Sequence, residues 1–197
     1  GLAGNEKELI DLYYAGTQPD EFYTSAVKHY VKNIDRIKKL PSGAGFLKST
    51  PAEQQEVRAL FNEPVIQEFL RNADEIAAKN RIQRYKLHDT APFIDFSGDL
   101  LYSGFNAAAA RSFSLRTTWA VQAGDRAEVM YLYELFRAFN TGVTPCDPLT
   151  LGGYVWLGNE SIRLETIKYM LDSKILTVEE RRKIAAELAA FIKGYDK

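Results

Sequence analysis

Cysteine is nearly absent from this 197-residue chain, where Cys146 is the only one. An intramolecular disulfide is therefore impossible, and a zinc site built on thiolates is excluded with it. Histidine is almost as scarce, with only His29 and His88. No Glu-x-x-His pair occurs, which removes the di-iron helical bundles. The HExxH, GxSxG, Walker-type and GxGxxG patterns are missing too. Neither sign of charge dominates: 25 basic and 26 acidic side chains leave a net charge of −1 and form no block. A nucleic-acid partner is not expected from such a balance. The uncharged run from Pro148 to Asn159 is too short to span a bilayer, so no transmembrane segment is expected.

What the chain does have is ordinary globular composition, 46% hydrophobic and 26% charged, at a length that suits a single domain over 1–197. Its clearest feature runs from Leu100 to Phe139, two apolar stretches of helical spacing joined at Gly124-Asp125. That pattern predicts an antiparallel helical hairpin. Upstream, Glu6 to Ala15 predicts a short helix, and Asp20 to Leu40 predicts a longer one. In the latter, Phe22, Ala26, Tyr30, Ile34 and Ile37 form the inward stripe and His29 falls on the solvated side. Pro41 to Gly45 reads as a firm stop. Thr50-Pro51-Ala52-Glu53 and Thr177-Val178-Glu179-Glu180 both carry the signature of a capping box. Pro64 predicts a break before a run carrying Ile66, Phe69, Leu70, Ala73 and Ile76. Asp147-Pro148 predicts the start of a helix carrying Val155, Trp156, Leu164, Ile167 and Met170.

The expected fold is all-α, about seven helices arranged as antiparallel hairpins in a bundle or short helical-repeat array. Residues 1–80 form N-terminal helices, 81–99 an irregular connection with turns at Asp95 and Gly98, and 100–197 the C-terminal hairpins. In outline this resembles tetratricopeptide arrays, although their repeat of about 34 residues cannot be laid onto the chain. A nearer likeness rests on Arg111 to Ala123, Gly124-Asp125, Arg126 to Phe139, Asp147-Pro148 and the cap at Thr177. In these elements the second half resembles a group of uncharacterised, often exported bacterial helical proteins. The resemblance implies a helical fold and export, and it carries no activity. The opening Gly1-Leu2-Ala3-Gly4, without an initiator methionine, agrees with removal of a signal peptide. The expected location is therefore extracytoplasmic, periplasmic or anchored.

Two sets of residues could carry chemistry. Arg111 and Arg116 interrupt an apolar helix, so each must pair with an internal carboxylate or hold an anion. Asp95, Asp99, Asp125 and Glu134 are the candidate partners. His88 and Asp95 could join them in a small-molecule or hydrolytic site within the 81–99 connection. The second set is aromatic: Tyr102, Tyr154 and Trp156 suit a surface that grips a peptide. No cofactor, metal or catalytic residue is expected. The function expected is a non-enzymatic helical binding or scaffold module recognising a protein or peptide segment.

Overall fold

The computed structural model describes residues 21–83, 96–142 and 151–195, with side chains described for 21–79, 103–140, 155 and 157–190. The expected first helix, His88, Asp95, Cys146 and Asp147-Pro148 lie outside the described residues. Among those described there are nine helices and no strand. They are α1 (Glu21–Lys32), α2 (Ile34–Ile37), α3 (Gly43–Lys48), α4 (Pro51–Phe61) and α5 (Pro64–Gln83). The second half holds α6 (Phe96–Ala123), α7 (Arg126–Gly142), α8 (Leu151–Asp172) and α9 (Val178–Tyr195). The all-α class is as expected, and the extra helices have local causes.

The expected helix over 20–40 divides at Asn33, whose side chain turns back to the His29 carbonyl at 2.9 Å. The break shifts the phase, so Ile34 is 37% exposed instead of buried. Pro41 to Gly45 does not simply stop the chain. Ser42 accepts a hydrogen bond from the Gly45 N–H and starts α3. Gly98, expected in a turn, and Asp99, expected in the irregular connection, belong to the first turn of α6.

Helix α6 is the hub. Helices α1, α3, α5, α7 and α8 all pack against it, so it buries Phe105, Ala109, Phe113, Leu115 and Thr118 on successive faces. A helix walled in on all sides needs no polar stripe, which explains its nearly uniform sequence. Its end is a Schellman motif: Gly124 N–H bonds to the Val121 carbonyl and Asp125 N–H to that of Ala120. Gly124 supplies the required φ of +72°. Asp125 then caps α7 by accepting from the Glu128 N–H at 3.0 Å.

Helix α7 runs back along α6, stacking Phe136 on Phe113 with ring centres 5.6 Å apart. Helix α8 returns beside both, with Thr166 Oγ1 2.7 Å from Ser114 Oγ. Helix α3 comes into close contact with α6. The Gly43 N–H donates to Ser114 Oγ at 3.0 Å, and a Cβ on Gly43 would lie 2.0 Å from Thr118 Oγ1. Phe46 and Phe61 then meet Trp119 edge-on at 5.5 and 4.7 Å. No helix among the described residues is long and apolar enough to cross a membrane.

Candidate functional site

The two arginines of α6 have different environments. Arg116 lies 2.6 Å from Asp74 of α5 and 3.8 Å from Glu128 of α7. It therefore ties three helices together. Its carboxylates are not among those expected from sequence, because the packing of α5 and α7 brings Asp74 and Glu128 to this turn of α6. Arg111, five residues earlier, donates its Nε–H to the Leu40 carbonyl at 3.1 Å. No carboxylate among the described residues stands within ion-pair distance of it. Burial lowers its pKa, opposed by the neighbouring Tyr30. The Tyr30 hydroxyl is pushed up by burial, against the positive charges of Arg111 and Lys38. Gly104 leaves room for that phenol: a Cβ there would stand 2.9 Å from the hydroxyl oxygen.

The other residues expected at a site divide by position. His88 and Asp95 lie outside the described residues. Tyr102 stands in α6, and Tyr154 and Trp156 stand in α8, with side chains outside the description. His29, expected to be solvated, is instead held at 15% side-chain exposure. Its Nε2 faces the Val65 carbonyl at 3.1 Å and its Nδ1 faces Glu68 at 3.2 Å. Packing of α5 along α1 covers this flank, which a single-helix projection cannot show.

Sequence reasoning missed a buried polar layer between α7 and α8. Glu160 and Arg163 form an ion pair with each side chain only 8% exposed. The Arg163 Nε–H lies 2.9 Å from Glu160 Oε2, which also accepts from Asn140 Nδ2 at 2.8 Å. Asn140 Oδ1 and Asn159 Nδ2 are buried without a hydrogen-bond partner among the described residues. A signal was available, since Glu160 and Arg163 are the first charges after an uncharged run of twelve residues and sit one turn apart. The pair can orient α7 against α8. Among the described residues no group of three or more His, Cys, Asp or Glu side chains could hold a metal ion.

A second polar seam joins α7 to α9. Tyr133 donates to Glu187 at 2.6 Å, and Glu134 receives Lys183 at 2.7 Å and Arg137 at 2.6 Å. Burial alone would raise Glu134, but the hydrogen bonds from Lys183 and Arg137 outweigh it and hold the carboxyl below its usual range. Burial and the Glu187 carboxylate push Tyr133 up.

The outer face of α8 is different again. Leu157 and Leu164, seven residues apart and hence on one stripe, are 50% and 43% exposed. Gly158 and Ser161 beside them are exposed as well. Leu164 is one of the apolar residues the helix was expected to carry. Contacts with α6 and α7 take up the other faces of α8, through Asn159, Glu160, Arg163, Thr166, Ile167 and Met170, and leave this stripe outward.

Neither a protein-family model, a curated protein nor a solved structure matches this chain. The site must therefore be read from its own geometry.

Proposed function

We propose that this chain is a non-enzymatic helical binding module that recognises a protein or peptide segment, and that the outward stripe of α8 is its contact surface. The observation that carries the reading is the pair Leu157 and Leu164, both large, apolar and about half exposed on a helix whose other faces are packed. Two such leucines bracketing Gly158 and Ser161 offer an apolar strip over two helical turns. An amphipathic partner helix can lie along such a strip with its own small side chains against Gly158, where no atom approaches a Cβ position within 4 Å. Tyr154 holds the position three residues before Leu157 in the same helix, and Trp156 precedes it directly.

The test is affinity capture from an extract of the source organism, with the native chain and Leu157→Glu/Leu164→Glu as parallel baits. Both leucines are substantially exposed, so the double variant should keep its thermal midpoint within a few degrees. The reading expects a protein held by the native bait and lost from the variant. Equal capture by both baits, or capture by neither, contradicts it.

A further inference from the structure

Most arginines in this fold have an obvious counter-charge or stand exposed, whereas Arg111 is half-buried and has no counter-charge among the described residues. It projects from the buried hub helix α6 toward the ends of α1 and α2. Among the described residues it finds only a carbonyl oxygen, that of Leu40 at 3.1 Å. A carbonyl dipole offsets only part of the charge of a guanidinium partly withdrawn from water. Lys38 and Arg111 both act on the Tyr30 hydroxyl, and Lys38 is itself paired with Asp35. Helix α6 also gives way at this point, since Gly104 carries no side chain against Tyr30. The corner thus holds one guanidinium with no carboxylate partner among the described residues, beside one phenol. Arg116, one and a half turns away on the same helix, shows how this fold treats an arginine it neutralises itself, with Asp74 at 2.6 Å.

We propose that Arg111 is the anchor of an anion site at the junction of α1, α2 and α6, taking a carboxylate or phosphate group on the free edge of its guanidinium. The two terminal nitrogens match a pair of oxygens in one plane, and the Tyr30 hydroxyl is close enough to feel the guanidinium charge. Leu40 holds Nε and so sets which edge is presented. This site is separate from the α8 stripe, so either can fail without the other.

The probes are sodium phosphate and sodium acetate, each titrated against sodium chloride at matched ionic strength and constant pH. Thermal midpoints are read together with side-chain Nε–H resonances of the arginines, Arg111 being assigned by its disappearance in Arg111→Lys. The native chain should show a saturable rise, about 5–10 °C at one hundred times the dissociation constant, and a matching movement of the Arg111 resonance. Arg111→Met should be no less stable than the native chain in chloride and should lose the response. A response to acetate alone assigns a carboxylate, and one to phosphate alone assigns a phosphate group. An Arg111 resonance that moves with neither anion, or a midpoint shift that survives in Arg111→Met, overturns the proposal. The resonance reading on the native chain decides the matter even if the variants fold poorly.

Discussion

Replacing Gly43 with alanine adds one carbon and should cost more than most single substitutions in this protein. The added Cβ would lie 2.0 Å from Thr118 Oγ1, 2.7 Å from the Ser114 carbonyl oxygen and 3.0 Å from Ser114 Oγ. Thr118 could rotate, but the Ser114 carbonyl is backbone in the middle of α6 and cannot. Helix α3 must therefore back away. Doing so weakens the buried Gly43 N–H bond to Ser114, worth about 1 kcal/mol, and loosens Phe46, which is fully buried. Overpacking of this kind costs about 1–3 kcal/mol. Alanine's better helix propensity returns up to about 1 kcal/mol. The net expectation is a loss of about 2 kcal/mol, or about 4–8 °C in the thermal midpoint. Gly158→Ala is the control, because its Cβ meets nothing within 4 Å and should stabilise by about 0.5–1 kcal/mol. Urea denaturation of the two variants beside the native chain measures both. A Gly43→Ala chain as stable as Gly158→Ala would refute the close approach of α3 to α6.

Three more outcomes follow from named contacts. Arg163→Met strands the buried Glu160 carboxylate and should cost about 3–5 kcal/mol by urea denaturation, while Glu160→Met/Arg163→Met should recover most of it. Lys174, held at φ +62° at the end of α8, should gain about 1 kcal/mol on replacement by glycine, read as a rise in thermal midpoint. The folded-state pKa of Glu134 is depressed, so its contribution is present above the ordinary glutamate value of about 4.3 and lost as pH falls through the lower folded value. Urea midpoints between pH 3 and 7 should therefore fall less steeply on acidification for Glu134→Gln than for the native chain.

The hairpin α6–α7, both capping boxes and the start of α5 were legible in the sequence because each rests on contacts within a few residues. Gly124 needs a positive φ, Thr50 reaches Glu53, and Pro64 lacks a donor whatever the rest of the chain does. Helix α3 was not legible. Gly43 reads as a breaker until α6 is seen to lie against it, so a close crossing looks like a stop. Ile34 was assigned inward by periodicity, yet periodicity shows only that residues share a stripe and not which stripe is covered. The same limit hid His29 under α5. For the candidate sites, the sequence singled out Arg111 and Arg116 as anomalous in an apolar helix. What separates them is Asp74, 42 positions from Arg116 and brought beside it only by the packing of α5. Asn140 gave no signal, since a helix-terminal asparagine usually faces water, and Asn159 stands inside α8, where nothing local shows which face is covered.

The claim that the outer stripe of α8 receives a partner is tested most directly by photo-crosslinking from within it. A photoreactive amino acid placed at Leu157 or Leu164 should join the chain to the same partner protein. At Glu56, on the exposed side of α4, it should give no such product. Crosslinks of equal yield from all three positions, or from Glu56 alone, would contradict the account.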